Sequence, residues 1–313
     1  MVALPRDFSA VHPEGVPATG PQRLVYAGAA GAQLVADRFA ASPARAGVPP
    51  VLFAHGFGQT RQAWSASARQ VAAAGHDAIA IDGRGHGESD WNLPRQCYHL
   101  DQFVDDARAL AAALPSTPVW IGASMGGLLG LLAQGEAASA GAAPFRALVL
   151  VDITPRWETA GVERILGFMR AHPDGFESLA VAADEIARYL PHRRRKTPEQ
   201  LSTLLLPDGH GRVRWHWDPR LLSQLAHESE QWQERLVAAA RRLAVPTLLV
   251  SGGRSDLVSD TTVDEFLALA PHAAHVRIED ATHMVAGDRN DAFTDVILDF
   301  LSASTAASNG VAP

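Results

Sequence analysis

The pentapeptide GASMG at residues 122–126 decides how this chain is interpreted, because of the segments on either side of it. Residues 118–121 are apolar and predict a short buried strand, and the small, apolar residues 127–133 predict a packed helix. A serine on a sharp strand-to-helix turn has a strained backbone, so the residues two positions away must be small. Glycine stands at both positions. The pattern therefore predicts an exposed nucleophilic serine, Ser124, where a central strand ends.

Strand and helix patterns alternate along most of the chain. Such alternation predicts an α/β fold with a mostly parallel sheet and helices on both faces. The predicted strands are residues 22–27, 33–39, 51–54, 77–81, 118–121, 146–151, 247–251 and 275–278.

Residues 154–243 break this alternation, because they are rich in helix formers and charge and show no core strand. We interpret them as a helical cap over the strand ends. The core is then expected at 21–153 and 244–303, with an irregular arm at 1–20 and a flexible tail at 304–313.

Composition narrows the classes of function. The chain has 313 residues and a formal net charge of −7, which gives no indication of a nucleic-acid partner. The basic run at 192–196 is interpreted as a solvated surface. The single cysteine, Cys97, excludes an intrachain disulfide, and no apolar run approaches the ~18 residues of a membrane span. We therefore expect a cytoplasmic protein with a small-molecule substrate and no membrane partner, and the sequence leaves the oligomeric state open.

A serine nucleophile needs a histidine base and a carboxylate that orients the base. After a nucleophile of this type the chain order is acid, then histidine. Asp256 follows the strand at 247–251 in a glycine-containing loop and is the expected acid. His283 follows the last strand and is the expected base. Asp152, at the end of the strand at 146–151, is the alternative acid.

The developing oxyanion of an acyl-transfer reaction requires preorganised N–H donors. The expected donors are the backbone N–H groups of Met125 and of Phe57, which lies in the HGFG loop at 55–58. His55 is interpreted as a hydrogen-bond partner that fixes this loop rather than as a base. Candidates for the substrate pocket are Phe57, Trp91, Trp157, Trp215 and Trp217.

The glycine-rich segment DGRGHGES at residues 82–89 resembles a phosphate-binding loop only superficially. It opens no Rossmann helix and is followed by no Lys-Ser or Lys-Thr pair. Asp82 and His86 lack a third ligand at suitable spacing. We therefore expect no metal and no cofactor, and a tight loop that braces the sheet.

Five elements in this order resemble the α/β-hydrolase superfamily: the loops at 55–58 and 82–89, the pentapeptide at 122–126, Asp256 and the segment at 281–284. Bacterial esterases and cofactor-free "non-haem peroxidases" are the groups most similar in pattern. The resemblance implies a sheet of about eight strands with a helical cap. Serine rather than aspartate at the turn argues against epoxide hydrolase and haloalkane dehalogenase activity.

The residues and the resemblance together predict a serine hydrolase that acts on carboxylic esters through an acyl-enzyme. A cofactor-free perhydrolase, a lactonase and a carbon–carbon bond hydrolase share the same residues and remain alternatives. A non-catalytic ligand-binding protein on the same fold is a further alternative.

Overall fold

The computed structural model describes residues 6–7, 20–44, 47–190, 195–202, 204–224 and 229–309. Its strands are β1 (Arg6–Asp7), β2 (Gln22–Ala27), β3 (Gln33–Phe39), β4 (Val51–Ala54), β5 (Ala78–Ile81), β6 (Val119–Ala123), β7 (Ala147–Val151), β8 (Leu205–Pro207), β9 (Val213–Trp215), β10 (Thr247–Gly252) and β11 (Ala274–Ile278).

Nine of these strands form the central sheet, in the order β1-β2-β3-β5-β4-β6-β7-β10-β11. The strands from β5 to β11 in this order run parallel, whereas β1, β2 and β3 form antiparallel pairs at one end. The mostly parallel sheet expected from the sequence is confirmed: it has about eight strands of normal length and the two-residue β1.

Eleven α-helices lie in the described part of the chain. They are α1 (Ser65–Ala73), α2 (Leu100–Ala112), α3 (Met125–Ala138), α4 (Thr159–Arg170), α5 (Leu179–Tyr189), α6 (Pro198–Leu201), α7 (Arg220–Gln224), α8 (Ser229–Ala240), α9 (Asp260–Leu269), α10 (Val285–Asp288) and α11 (Asn290–Asn309).

Helices cover both faces of the sheet. Successive side chains of a strand point to opposite faces, so each strand packs against both helical layers. Leu52 and Trp120 pack on the face covered by α2, α3, α8 and α9. Phe53 and Ile121, their neighbours in sequence, pack on the face covered by α1 and α11. Central strands that are buried on both faces have continuous apolar sequences. Such runs could therefore be predicted from the sequence.

The segment at 154–243, which was expected to be a helical cap, shows two features that the sequence did not indicate. It contains the β8–β9 hairpin, whose strands have three residues each and are too short to show an alternating pattern. In addition, α8 packs against α3 of the core, where a Cβ at Gly135 would overlap the backbone of Ala239. Helix α8 is therefore part of the layer that covers the sheet.

The ends of the chain were expected to be irregular. Helix α11 continues to Asn309, so part of the tail expected at 304–313 is helical. The rest of that tail, most of the expected arm at 1–20, and residues 192–194 of the basic run lie outside the described residues. Among the helices that the structure describes, none has the length and apolar character needed to cross a membrane.

Candidate active site

Ser124 occupies the turn between β6 and α3. Its φ of 48° and ψ of −120° are a strained conformation for a non-glycine residue. The turn is held by the Ser124 N–H, which donates to the carbonyl oxygen of Val151 in β7 at 3.0 Å. The predicted strand, turn and helix are all present, and the half-buried side chain lies at the carboxyl end of the sheet.

Close packing explains why this turn needs glycine on both sides of the serine. A Cβ at Gly122 would overlap the backbone of Gly126, and a Cβ at Gly126 would lie 2.5 Å from the carbonyl oxygen of Ala54. The Trp120 indole N–H donates to the carbonyl oxygen of Gly126 at 2.9 Å and secures the start of α3. The backbone of the turn is therefore tied to β4 and β6 as well as to β7.

The carboxylate that contacts His283 belongs to Asp152, at the end of β7. The distance from His283 Nδ1 to Asp152 Oδ2 is 2.7 Å, and the Asp152 side chain is fully buried. The Gly252 N–H donates to Asp152 Oδ1 at 2.8 Å, and the Ser255 hydroxyl donates to Oδ2 at 2.5 Å. A carboxylate at Nδ1 favours the tautomer with the proton on Nδ1, which leaves His283 Nε2 able to accept a proton.

The structure pairs His283 with the alternative acid, Asp152, and not with the expected acid, Asp256. Asp256 follows β10 as predicted, but its carboxylate accepts hydrogen bonds from the Arg164 guanidinium of α4 and is a third exposed. The reason is the position of β7 between β6 and β10, which places Asp152 between the serine turn and the loop after β10. That loop offers Asp152 two hydrogen-bond donors and directs its own aspartate toward the cap.

Two loops lie beside the serine, and the loop that carries His283 is linked to both of them. The Ser124 N–H is bound to Val151, the residue before Asp152, so the serine and the Asp152–His283 pair share the end of β7. A Cβ at Gly56 would lie 3.2 Å from the Ser124 Cβ, which places the loop at 55–58 directly beside the serine. The same loop continues to Gln59, whose side-chain amide contacts the sulfur of Met284 at 3.1 Å, next to His283.

The two expected oxyanion donors lie on the two segments that flank Ser124. Met125 is the first residue of α3, and the first N–H groups of a helix have no partner within it. Phe57 lies between Gly56, beside the serine, and Gly58, whose N–H donates to His86 Nε2 at 3.2 Å. For neither Phe57 N–H nor Met125 N–H do the described residues supply an acceptor, so both remain available to a ligand.

Three buried histidines hold the loop that carries Phe57 and the segment at 82–89 by hydrogen bonds. His55 Nε2 accepts the Gly83 N–H at 2.9 Å, and His216 Nδ1 accepts the Gly87 N–H at 3.0 Å. Burial lowers the pKa of His55, lowers the pKa of His86 well below its usual value, and lowers the pKa of His216 to about 4. All three accept backbone hydrogen bonds as neutral rings, and His55 fixes its loop as expected.

The segment at 82–89 braces this end of the sheet. The buried Asp82 carboxylate pairs with the buried Arg61 guanidinium and accepts the backbone N–H of Arg61 at 2.7 Å and of Glu88 at 3.0 Å. Its oxygens are therefore occupied by contacts within the protein, as expected for a structural loop.

The candidate pocket residues lie in different places. Trp217 of the cap packs on Phe57 with ring centroids 5.3 Å apart, and Trp215 stacks behind Trp217 at 6.0 Å. Trp157 is buried in the core, whereas Trp91 is 36% exposed and lies under the Arg214 guanidinium. Phe57 and Trp217 are thus the two candidates beside the loop that flanks Ser124.

Sequence reasoning missed Met169 and Ser255. The Met169 methyl group from α4 sits where a Cβ of Gly58 would be, so it covers the loop at 55–58. No pattern in the sequence indicates which cap residue reaches this loop. Ser255 directly precedes the expected acid, Asp256, and nothing in the sequence indicates that its hydroxyl contacts Asp152.

A cavity of about 420 Å³ lies between residues of α5 and α6 and residues 254–288 of the core. Thr282, the residue before His283, lines it. The remaining lining mixes charged and apolar side chains, among them Ile186, Leu190, Lys196, Arg254, Asp280 and Asp288. This cavity therefore adjoins the segment that carries His283, although His283 itself is not among the residues that line it.

Comparison with known proteins agrees with this architecture. The alpha/beta hydrolase fold family matches residues 49–289. The protein belongs to the α/β-hydrolase fold family. Its chain is 29% identical over 219 residues to the 3-hydroxybutyrate-oligomer hydrolase of Cupriavidus necator, covering 66% of this chain and 72% of that protein. It is 27% identical over 271 residues to the sn-1-specific diacylglycerol lipase ABHD11 of Mus musculus, covering 82% and 81%.

Solved structures of this α/β-hydrolase fold superpose over nearly the whole chain. The structure of E-2-(acetamidomethylene)succinate hydrolase has a TM-score of 0.76 and 22% sequence identity, and covers 90% of this chain and 98% of that one. The esterase Rv0045c of Mycobacterium tuberculosis has a TM-score of 0.67 and 24% identity, covering 92% and 94%. At these identities the superpositions support the fold alone. The chain is an α/β hydrolase with hydrolase and esterase relatives.

Proposed function

We propose that the protein is a serine hydrolase that cleaves carboxylic esters through an acyl-enzyme. The observation that carries the proposal is the hydrogen bond of 2.7 Å between His283 and the buried Asp152, at the strand end that also anchors the Ser124 turn. A strained serine, an oriented histidine and a buried carboxylate are the groups that acyl transfer requires.

In the proposed reaction the Ser124 hydroxyl oxygen attacks the acyl carbon while His283 Nε2 accepts its proton. The N–H groups of Phe57 and Met125 donate to the oxyanion of the tetrahedral intermediate. His283 then returns the proton to the leaving alcohol, and the acyl group stays on Ser124. Water, deprotonated by the same histidine, attacks the acyl-enzyme and releases the acid. Asp152 keeps Nδ1 protonated and stabilises the imidazolium.

The ester class is favoured by the names of the sequence relatives, which include an oligomer hydrolase, a diacylglycerol lipase and an esterase. A perhydrolase, a lactonase and a carbon–carbon bond hydrolase would use the same residues, because the cap and pocket decide the substrate. The expected small-molecule substrate and cytoplasmic location stay predictions.

The test combines active-site labelling with turnover. Wild-type protein is treated with a fluorophosphonate and examined by mass spectrometry, and its hydrolysis of a short-chain p-nitrophenyl ester is followed for a burst. We expect one covalent adduct on Ser124, and loss of adduct and turnover in Ser124→Ala. Ser139→Ala, on the exposed end of α3, is the matched control and should behave as wild type.

The outcomes separate the alternatives. Undiminished turnover in Ser124→Ala would remove the nucleophile assignment. Labelling of Ser124 without ester turnover would direct the assays to lactones, to peroxide with a carboxylic acid, and to carbon–carbon bond substrates. A protein that is neither labelled nor active would favour the ligand-binding alternative.

A further inference from the structure

The Ser255 hydroxyl has a fixed direction. Its oxygen accepts the backbone N–H groups of Leu257 and Val258, each at 3.1 Å, and lies 2.5 Å from Asp152 Oδ2. A hydroxyl has one proton and two acceptor sites. Since backbone donors occupy the acceptor sites, the proton of Ser255 must point to the Asp152 carboxylate.

Asp152 Oδ2 is the oxygen that also receives His283 Nδ1 at 2.7 Å. Its other oxygen is bound by the Gly252 N–H, so donors from the loop after β10 hold both oxygens of one fully buried carboxylate. Hydrogen bonds to the ionised form stabilise it, and without them a buried carboxylate turns or takes up a proton.

We propose that Ser255 is a positioning residue that holds the Asp152 carboxylate in the orientation in which it receives His283. This inference rests on the proposed serine hydrolase function. Ser255 itself touches neither the substrate nor the reacting atoms, and it acts through Asp152.

The loop that carries Ser255 has further anchors besides this hydroxyl. Leu257 accepts the Glu158 N–H at 3.0 Å, and the Ser259 hydroxyl donates to the Glu158 carboxylate at 2.6 Å. Asp256 is bound by Arg164 of α4. Removing the Ser255 hydroxyl takes away the hydrogen bond to Asp152 and the acceptor of the Leu257 and Val258 N–H groups, while the anchors to α4 and Glu158 remain.

The test is the pH dependence of ester hydrolysis by Ser255→Ala. Loss of a hydrogen bond to a charged group should lower kcat by about 10-fold or more with little change in KM. An Asp152 carboxylate that turns or takes up a proton stabilises the imidazolium form of His283 less. The acid limb of kcat/KM should therefore move to lower pH, a change that a merely structural role would not cause.

Two further variants keep the test decisive. Ser255→Cys retains a weak donor of similar shape and should give an intermediate limb and an intermediate kcat. Ser259→Ala removes a hydroxyl from the same loop that makes no contact with Asp152, so its limb should match wild type. If Ser255→Ala does not fold, a wild-type limb in Ser255→Cys overturns the proposal.

The two levels of inference fail differently. If Ser124→Ala keeps its turnover, the proposed function fails. If Ser124→Ala is inactive while Ser255→Ala has wild-type kcat and acid limb, only the positioning role of Ser255 is overturned. The same holds if Ser255→Ala loses stability and activity together but keeps the wild-type limb.

Discussion

Replacing Asp152 by asparagine is the most direct perturbation of the site. The carboxylate accepts hydrogen bonds from Gly252, Ser255 and His283, and it is fully buried. An asparagine keeps one acceptor oxygen and replaces the other by an NH₂ group. Because that group can only donate, His283 Nδ1 must accept from it, and the proton moves to Nε2. A histidine with its proton on Nε2 is not a base for Ser124.

The expected magnitude follows from that tautomer. The same substitution in a Ser-His-Asp triad lowers kcat by about 10⁴-fold, which corresponds to about 5 kcal/mol of transition-state stabilisation. Asp256→Asn is the matched control, because it removes the charge of the expected acid. It breaks a part-exposed ion pair with Arg164, which contributes about 0–1 kcal/mol to stability. Its kcat should stay within a few-fold of wild type.

The assay is steady-state hydrolysis of a p-nitrophenyl ester, with circular dichroism to confirm that both variants are folded. Fluorophosphonate labelling of Ser124 should slow in Asp152→Asn in parallel with kcat. The reasoning is refuted if Asp256→Asn is inactive while Asp152→Asn is near wild type. That result would mean that the acid after β10 replaces Asp152 when substrate binds.

The remaining predictions concern stability. Gly122→Ala should lower the free energy of unfolding by about 1–3 kcal/mol, because its Cβ would overlap the backbone of Gly126. Gly167→Ala, in the middle of α4 with nothing within 4 Å of the new methyl group, should raise it by about 0.5–1 kcal/mol. Urea denaturation measures both, and equal effects would contradict the packing argument. His216 has a pKa of about 4 in the folded protein and about 6.5 when unfolded, so the unfolded chain binds the proton first as pH falls. The contribution of the neutral His216 ring to the free energy of unfolding is fully present above pH about 6.5 and is lost by pH about 4. The loss amounts to about 3 kcal/mol. His216→Asn, which keeps an acceptor for Gly87, should show a smaller loss of stability between those pH values, and an unchanged loss would exclude His216 as the cause.

The sequence predicted the central strands and the serine turn well, for a physical reason. β4, β6 and β7 are buried on both faces, so each is a short apolar run bounded by turn residues. The GASMG turn has a steric requirement that glycine alone meets at Gly122 and Gly126, so the requirement is visible in the residues themselves.

The elements of the segment at 154–243 were predicted less well, because its structure depends on contacts distant in sequence. The β8–β9 hairpin is stabilised by rings that pack across it, such as Trp215 against Phe176 with centroids 5.2 Å apart. The sequence pattern of α8 does not distinguish it from the other helices of the segment at 154–243. Only its close contact with α3 at Gly135 shows that it belongs to the layer that covers the sheet. Neither contact leaves a local pattern in the sequence.

The partner of His283 was not predicted as first choice, because chain order does not distinguish two adjacent strand ends. Asp152 and Asp256 both follow parallel strands before His283, and β7 and β10 are neighbours in the sheet. What separates them is the loop after β10: Gly252 and Ser255 donate to Asp152, whereas Asp256 is paired with the cap. A buried carboxylate needs hydrogen-bond donors, and this loop supplies them to Asp152 at the end of the neighbouring strand β7. Two features of such a chain therefore favour the earlier acid. One is an aspartate at the end of β7, and the other is a serine directly before the aspartate that follows β10.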